Sequence, residues 1–326
     1  MNTSLFSFLQ KPTSIVRYTT QNRVCWGVIE SGLISEINGQ YATTGDFLCH
    51  AHEALKIALS QTPTLGVNEV QLLSPVTERQ QFICQGINYP THIKESGGEL
   101  LPFNTIFTKA SSCMIAANAN IVRPAHVTML DYEAELGIVL GADIVVPTQI
   151  TPADLHRYIA GIVLVNDVSA RDVQLPQGQF YKGKSYPTFG PVGPTLCLLP
   201  ATHVMRLLDI HMSLKVNQQT RQDFYTGEMI FKPHETLTEL SSLQSLYAGD
   251  LIATGTSGGV AAKAPGKLLM TIARITMTEQ QKWGVFVKKG PRNPLYLKPG
   301  DRVELSGRTD DGVIDLGLQN NLIVAS

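Results

Sequence analysis

Short runs of β-branched and aromatic residues, separated by turn residues, fill most of the chain after residue 81 and limit the folds open to it. Runs of this kind favour strands, whereas only 152–158 and 233–246 have the apolar spacing of an amphipathic helix. Because a doubly wound sheet needs a helix between successive strands, the pattern predicts an α+β, β-rich fold instead. The predicted strands in this part are 82–84, 105–109, 132–140, 162–168, 210–216, 251–254 and 302–305.

The first 76 residues have a pattern of their own. The runs 23–30 and 33–36 are joined by Ser31-Gly32, and a two-residue turn of this type predicts a β-hairpin. Alanine and leucine recur at helical spacing over 51–59, and a proline-containing connector follows. We therefore predict a small N-terminal α+β domain, 1–76, and a larger domain, 77–326, that holds the chemically informative residues.

Charge and composition exclude several classes of partner. With 26 basic and 27 acidic residues the chain has a net charge of −1, which argues against nucleic acid or an anionic membrane as its partner. No apolar run reaches the ~18 residues that cross a bilayer, and the N-terminus lacks the basic and apolar regions of a secretory signal. The five cysteines are scattered without a Cys-x-x-Cys pair, as in reduced proteins. We expect a soluble, cytoplasmic protein.

Two acids separated by one residue, Glu133 and Glu135, form the most informative pattern in the chain. Side chains alternate faces along a strand, so both acids would project from the same side of the run 132–140. A third acid, Asp167, ends another apolar run. Carboxylates this close repel each other unless a cation lies between them, and oxygen ligands suit Mg²⁺, Mn²⁺ or Ca²⁺. Spacing alone does not distinguish such a site from a solvated strand face, the commoner arrangement for this pattern.

Basic residues follow Asp167 closely in the sequence. Arg171 offers a two-pronged donor and Lys184 a compact charge, the groups that a bound carboxylate or oxyanion needs. Gly183 and the proline-rich stretch 191–194 indicate a tightly shaped loop, which favours a functional role for both residues. Lys182 is interpreted as an ordinary solvated charge.

A short helix is predicted between Asn88 and Gly97, since Pro90 is tolerated in a first helical turn and glycine ends a helix. His92 and Glu95 would then lie three residues apart on one face of that helix. A carboxylate that orients an imidazole produces a general base near neutral pH. A chance pair on a surface helix has the same spacing, and on spacing alone that is the commoner arrangement.

Taken together, these residues resemble the fumarylacetoacetate hydrolase family. The resemblance covers 82–322 and depends on the joint order and spacing of motifs that are individually weak. The motifs are Gly86-Ile87-Asn88-Tyr89 with His92 and Glu95, Phe107-Thr108-Lys109, Asp131-Tyr132-Glu133-Ala134-Glu135-Leu136, Asn166-Asp167-Val168-Ser169-Ala170-Arg171-Asp172-Val173-Gln174, Gly183-Lys184-Ser185, Gly255-Thr256 and Leu297-Lys298-Pro299-Gly300-Asp301.

The resemblance implies a mixed β-roll of this family's type around a Mg²⁺ site, with Mn²⁺ or Ca²⁺ as alternatives, in a homodimer. By residue match, the metal ligands would be Glu133, Glu135 and Asp167. The catalytic residues would be His92 and Glu95, which activate water, and Lys184, which supports an enolate. The residues in contact with substrate would be Arg171, Gln174 and Thr256.

Two features depart from the family pattern. Ser257 stands where a proline commonly follows Gly-Thr, and a segment of 34 residues, 261–294, precedes the last motif. This insertion is long for a loop and holds one acid, Glu279. Its seven basic residues are Lys263, Lys267, Arg274, Lys282, Lys288, Lys289 and Arg292. The segment is interpreted either as a solvated surface excursion or as a lid or dimer arm beside an anionic substrate.

The favoured hypothesis is a metal-dependent hydrolase that cleaves a C–C bond of an acylpyruvate-like (2,4-dioxo acid) substrate through an enolate. The alternative keeps the metal and the enolate but produces isomerisation, decarboxylation or dehydration of a small anionic 2-oxo acid, since the shared site does not select among these outcomes. A non-catalytic metabolite-binding protein is a third hypothesis, which an intact His92–Glu95 pair disfavours.

Overall fold

Strands outnumber helices in the computed structural model, which describes residues 5–263 and 277–326. Numbered in chain order, the strands are β1 (Thr13–Thr20), β2 (Arg23–Glu30), β3 (Leu33–Ile37), β4 (Leu65–Gly66), β5 (Gln71–Leu73), β6 (Phe82–Gly86), β7 (Thr105–Lys109), β8 (Met114–Ala116), β9 (Ile121–Arg123), β10 (Leu130–Asp131), β11 (Ala134–Leu140), β12 (Ile159–Asn166), β13 (Ser169–Ala170), β14 (Gly190–Val192), β15 (Leu196–Leu198), β16 (His211–Val216), β17 (Gln219–Tyr225), β18 (Leu251–Thr256), β19 (Arg302–Arg308) and β20 (Asp315–Ala325). The α-helices are α1 (Thr44–His50), α2 (His52–Ser60), α3 (Pro90–Ser96), α4 (Arg171–Gln177), α5 (Phe180–Lys184), α6 (Pro233–Leu243) and α7 (Glu279–Lys289). Short 3₁₀ helices are Val67–Glu69, Ser111–Cys113, Pro152–Arg157, Ala201–Leu208, Thr226–Glu228 and Gly290–Arg292.

Within the described residues, thirteen strands form one sheet, whose main path runs β4-β3-β2-β1-β15-β12-β11-β18-β6-β7. In this sheet β11 pairs antiparallel with β12 on one side and with β18 on the other. A second sheet of five strands runs β17-β16-β19-β20-β9, and β10 and β13 form a two-stranded sheet. The strand-rich, mixed α+β fold predicted from the sequence is confirmed.

Strands β11 and β12 are buried on both faces, because the large sheet separates two hydrophobic cores. Leu164 packs on one face, in a core to which the five-stranded sheet contributes Met212. Val163 packs on the opposite face, in a core that also holds Trp26 and Phe47, whose rings stack with centroids 4.3 Å apart. Burial on both faces explains the continuous apolar runs of these strands and fixes their register.

The predicted hairpin is confirmed as β2 and β3, which turn at Ser31 and Gly32 with φ values of 51° and 79°. The predicted helices over 51–59 and 233–246 are confirmed as α2 and α6, although α6 ends at Leu243. The segment 152–158 is a 3₁₀ helix and not the α-helix that its spacing predicts. The Asp154 N–H donates to the Thr151 carbonyl at 3.0 Å and the Tyr158 N–H to the Leu155 carbonyl at 3.1 Å, which is the three-residue spacing of a 3₁₀ helix.

The alternation over 132–140 predicts one continuous strand, but the structure does not form one. Pairing stops after β10 and resumes at β11, because the backbone at Glu133 is diverted to the chain around Asp167. The Glu133 N–H donates to the side chain of Asn166 at 3.1 Å, and the Asp167 N–H donates to the Glu133 carbonyl at 2.9 Å. These bonds replace the ladder that a continuous strand would form.

The basic segment 261–294 is described in part. It contains α7 and the 3₁₀ helix Gly290–Arg292. The side-chain amide of Asn293 donates to the Ala261 carbonyl at 2.8 Å, so the two ends of the segment lie together. Lys267 and Arg274, which belong to the predicted basic set, lie outside the described residues.

The N-terminal part of the chain shares the large sheet, since β1 pairs antiparallel with β2 and with β15. The domain boundary near residue 77 remains a prediction. Among the helices of residues 5–263 and 277–326, none has both the length and the apolar character needed to cross a bilayer.

Candidate metal centre and active site

Glu133, Glu135 and Asp167 meet where β11 begins and β12 ends. Glu135 is the second residue of β11, Glu133 directly precedes that strand, and Asp167 directly follows β12. The antiparallel pairing of Ala134 with Asn166 therefore sets Glu133 beside Asp167. One oxygen from each of the three carboxylates lies within 4.8 Å of the others, and all three side chains are buried. The structure thus brings together the three acids that the sequence predicts as metal ligands.

Three buried cations surround these acids. Lys184 Nζ lies 2.8 Å from Glu133 and 2.6 Å from Asp167. Lys109 Nζ lies 2.5 Å from the other oxygen of Asp167, and the Arg171 guanidinium lies 2.5 Å from Glu133. Burial opposes the ionisation of Glu133, but Lys184 and Arg171 outweigh it and hold its pKa far below the usual range. Glu133 is therefore ionised at neutral pH.

Glu135 is the least compensated acid of the cluster. Its Oε2 accepts the Gly255 N–H at 2.8 Å, whereas its buried Oε1 has no hydrogen-bond partner in residues 5–263 and 277–326. Burial, followed by the charges of Asp167 and Glu133, raises the pKa of Glu135 well above its usual range. A further cation at this point would therefore be strongly stabilised.

The donors of this cluster fit a hard divalent cation. Carboxylate oxygens are the preferred ligands of Mg²⁺, Mn²⁺ and Ca²⁺, and a set without thiolate or imidazole disfavours zinc. Such an ion would satisfy the unpartnered Glu135 oxygen and would offset the repulsion among the three acids. The alternative of a solvated strand face is wrong, since all three acids are buried.

Arg171 and Gln174 lie together at the start of α4. Arg171 Nη1 donates to Gln174 Oε1 at 2.8 Å, and Arg171 Nε donates to Asp131 at 2.8 Å. Asp131 is fully buried and also accepts the N–H groups of Ala261 and Ala262, at 2.8 and 3.0 Å. The guanidinium that the resemblance assigns to substrate binding is thus held from two sides.

Helix α3 carries His92 and Glu95, as the sequence predicts, and ends at Gly97 with a φ of 68°. Among the described residues no hydrogen bond joins the two side chains, because Glu95 accepts the Gly259 N–H at 2.7 Å and Lys263 Nζ at 2.9 Å. His92 Nδ1 is buried and has no hydrogen-bond partner in the part of the chain that the structure describes. The expected orientation of His92 by Glu95 is therefore not observed, since a backbone donor and an ammonium group already occupy the carboxylate.

The imidazole of His92 lies close enough to the acid cluster to interact with it. Burial lowers the pKa of His92 below its usual range, and the attraction of Glu133 does not restore it. Burial opposes ionisation of Glu95, but the Gly259 N–H and Lys263 outweigh it and lower its pKa. At neutral pH α3 therefore carries a neutral imidazole and an ionised carboxylate.

Thr256, which the resemblance assigns to substrate binding, uses its hydroxyl within the fold. The hydroxyl donates to the Ala134 carbonyl at 2.9 Å and accepts from the side-chain amide of Gln222 at 2.7 Å. Gln222 in turn accepts the Ala134 N–H at 2.9 Å. These bonds join β18, β11 and β17 next to Glu135, and they commit the Thr256 hydroxyl proton to the backbone.

Sequence reasoning assigns no role to Lys109, Asp131 or Gln222, although all three belong to the site. Asp131 continues the alternate-residue spacing of Glu133 and Glu135, and this spacing is the signal that could have identified it. Lys109 lies in one of the family motifs, but nothing in its local spacing shows that β7 approaches the end of β12. Gln222 lies in a polar run without any distinguishing signal.

Comparisons with known proteins agree with this architecture. The family profile described as Fumarylacetoacetate (FAA) hydrolase C-terminal matches residues 81–323, and a profile described as Rv2993c-like, N-terminal matches residues 14–75. The oxaloacetate tautomerase FAHD2A, mitochondrial, of Bos taurus is 32% identical over 247 residues, which are 75% of this chain and 68% of that protein.

Solved structures of similar proteins superpose on nearly the whole chain. A fumarylacetoacetate hydrolase from psychrophilic Exiguobacterium antarcticum has a TM-score of 0.70 and 28% identity, over 96% of this chain and 100% of that one. A probable 2-hydroxyhepta-2,4-diene-1,7-dioate isomerase from Mycobacterium abscessus has a TM-score of 0.70 and 25% identity, over 96% of this chain and 99% of that one. Since the first profile also spans more than half of the sequence, this chain belongs to the fumarylacetoacetate hydrolase family.

Proposed function

We propose that this enzyme interconverts the keto and enol forms of a small dianionic 2-oxo acid, with a divalent metal at the acid cluster. The observation that carries the proposal is the state of His92, a partly buried imidazole with a lowered pKa whose neighbour Glu95 is bonded elsewhere. A neutral imidazole can accept a proton from the carbon next to an oxo group, and this step needs no activated water. Similarity to a protein named oxaloacetate tautomerase supports this reaction class, so oxaloacetate is the first substrate to test.

Glu133, Glu135 and Asp167 would hold the metal, for which we propose Mg²⁺, with Mn²⁺ or Ca²⁺ as alternatives. When bound, the ion supplies Lewis-acid stabilisation of the negative charge on the 2-oxo oxygen. Lys109 contacts Asp167, and Lys184 contacts both Asp167 and Glu133. Their positive charges offset part of the negative charge of the cluster and lower the repulsion that an anionic substrate experiences.

Arg171 is the proposed anchor for a substrate carboxylate, because its planar guanidinium can donate two parallel hydrogen bonds. Its bonds to Asp131 and Gln174 fix the plane of that group. Lys184 would donate to the enolate oxygen. It stays protonated, because the neighbouring acids outweigh the effect of burial and raise its pKa above the usual range. Thr256 would line the site without donating its hydroxyl.

In the proposed reaction His92 takes a proton from the carbon next to the 2-oxo group. The electrons of the broken C–H bond form the C=C bond of the enolate, and the 2-oxo oxygen gains a proton from solvent to complete the enol. His92 then returns its proton to solvent. No carbon–carbon bond breaks and no water is consumed, so the carbon skeleton is unchanged.

Hydrolysis of a C–C bond in an acylpyruvate is the second candidate function. His92 and Glu95 lie about one turn apart on α3, as the water-activating pair of the family resemblance requires. Similarity to a solved structure titled fumarylacetoacetate hydrolase supports the same reaction. In this case Glu95 would have to leave Gly259 and Lys263 in order to bond His92.

The products of the reaction distinguish the two candidate functions, tautomerisation and C–C bond hydrolysis. The purified protein is incubated with oxaloacetate, acylpyruvates and fumarylpyruvate in Mg²⁺ or Mn²⁺, while the ultraviolet absorbance of the enol and the carbon products are followed. A tautomerase speeds the keto–enol exchange and leaves the skeleton intact, whereas a hydrolase releases pyruvate and a second acid. Thermal stabilisation by these acids without turnover would refute both and would indicate a metabolite-binding protein. The homodimer remains a prediction.

A further inference from the structure

The first turn of α3 is joined to the loop that follows β18. Thr91 Oγ1 lies 2.8 Å from Ser257 Oγ and accepts the Gly258 N–H at 3.1 Å. Ser257 is only 3% exposed, so water competes little with its hydroxyl for this hydrogen bond. A proline at this position would offer no hydroxyl, so the contact depends on Ser257.

The last turn of α3 is joined to the same loop through Glu95. One carboxylate oxygen accepts the Gly259 N–H at 2.7 Å and the other accepts Lys263 Nζ at 2.9 Å. The loop lies close against β17 at this point, because a Cβ on Gly259 would lie 2.0 Å from the Arg221 carbonyl oxygen. The Tyr132 hydroxyl also donates to the Gly259 carbonyl at 3.1 Å. The helix is thus attached to a loop that packs against two other parts of the site.

His92 lies between these attachment points, one residue after Thr91 and three before Glu95. Its imidazole interacts with Glu133 of the acid cluster. Within α3 only Ile93 is buried, and its side chain is still 8% exposed, so apolar burial alone holds this seven-residue helix weakly. The polar contacts at both ends therefore add to the attachment of α3 beside the cluster.

We propose that Ser257 and Lys263 are positioning residues, which act through Thr91 and Glu95 to keep His92 against the acid cluster. The catalytic consequence rests on the proposed function, whereas the consequence for α3 holds for any reaction. Lys263 then serves to hold the helix and not to attract substrate. The partly exposed Lys263–Glu95 ion pair and the Ser257–Thr91 hydrogen bond each contribute modestly to the stability of α3 in its place. Loss of either contact should therefore raise the fraction of molecules in which α3 is open about two- to fivefold.

The first test is hydrogen exchange of α3 in the full chain, measured by mass spectrometry without substrate. Ser257→Ala and Lys263→Met should each speed exchange of the α3 amides about two- to fivefold. The matched control is Lys94→Met, since Lys94 is an exposed lysine of the same helix outside these contacts. The control should leave the exchange unchanged. Exchange at the wild-type rate in both Ser257→Ala and Lys263→Met would overturn the proposal.

The second test is turnover of the best substrate. Both variants should lower kcat about two- to fivefold with little change in KM, and Lys263→Arg should restore kcat because it keeps the charge. Lys263→Met should add little to the cost of Glu95→Gln, since Glu95→Gln already removes the ion pair with Lys263. A raised KM with unchanged kcat, suppressed by salt, would show that Lys263 attracts substrate and would overturn the proposal.

The two tests separate this proposal from the proposed function. Faster α3 exchange in the variants of a protein that turns over none of the 2-oxo acids would support the positioning role and refute the proposed function. Normal turnover together with unchanged exchange would refute the positioning role alone.

Discussion

Replacing Glu135 by Gln should stabilise the metal-free protein and remove most of the stabilisation that Mg²⁺ provides. Glu135 is buried, one of its oxygens has no hydrogen-bond partner among the described residues, and two acids lie beside it. Burial and these acids raise its pKa, so the folded state binds the proton more tightly than the unfolded state does. Stability therefore falls as the pH rises above the unfolded pKa, by about 1.4 kcal/mol for each unit until the folded pKa is reached. The neutral amide of Gln avoids this cost.

In the presence of Mg²⁺ the same replacement has the opposite effect on stability, because it removes a metal ligand. A ligand present at about 100 times its Kd stabilises the folded state by about 2.7 kcal/mol, which raises Tm by about 5 °C for a chain of this size. If the loss of this anionic ligand weakens Mg²⁺ binding about 100-fold, the same Mg²⁺ concentration equals the new Kd. Mg²⁺ then stabilises the folded state by only RT ln 2, about 0.4 kcal/mol. The Mg²⁺-induced shift of Glu135→Gln should therefore be below about 1 °C.

Thermal unfolding at pH 7, in EDTA and in excess Mg²⁺, measures both terms. Glu30→Gln is the matched control, since Glu30 is an exposed acid paired with exposed Lys11. The control should behave as the wild type does in both conditions. A Glu135→Gln variant that is less stable than the wild type in EDTA, or one that keeps the full Mg²⁺ shift, would refute the electrostatic reasoning.

Three further predictions follow from the same site. Glu95→Gln should lower turnover less than about tenfold if Glu95 only holds α3, whereas loss of a general-base pair would cost about 10²–10⁴ in a kcat measurement on the best substrate. Lys184→Met should destabilise the metal-free protein in urea unfolding, by up to about 3–5 kcal/mol, the range typical of a broken buried ion pair. The variant loses the cation that Glu133 and Asp167 share and leaves each acid with one other cation, Arg171 and Lys109 respectively, and Mg²⁺ should recover part of the loss. Activity should fall on acidification only below the ordinary histidine range, as the pH decreases through the lowered pKa of His92, because protonation removes the base; a kcat profile with an acid limb within or above the ordinary histidine range would contradict this.

The acid triad could be predicted from the sequence because its members lie in or directly beside strands, where local alternation sets the direction of each side chain. Glu133 and Glu135 keep a common side even though the predicted strand is broken at Glu133. Asp167 ends an apolar run that does form a buried strand. The fold class was predictable for the same reason, since burial on both faces produces runs that local patterning detects.

Contacts between distant segments were not predictable, because spacing contains no information on which segments meet. Lys109 bonds Asp167 across 58 positions of the sequence. Glu95 bonds Lys263 across 168 positions, while His92, only three residues away, receives no hydrogen bond from it. Helical spacing correctly placed His92 and Glu95 on one helix but could not show that a distant ammonium would occupy the carboxylate.

The continuity of the large sheet has a consequence for how relatives of this protein can differ. β1 pairs with β15, and β15 pairs with β12, the strand that Asp167 follows. A chain that began near residue 77 would leave an open edge along β15 and would remove Trp26 and Phe47 from the core that they share with Val163. The two segments that match separate family profiles are therefore joined by the hydrogen bonds between β1 and β15. An N-terminal segment exchanged between relatives would be tolerated only if its β1 could pair with β15 of the other protein.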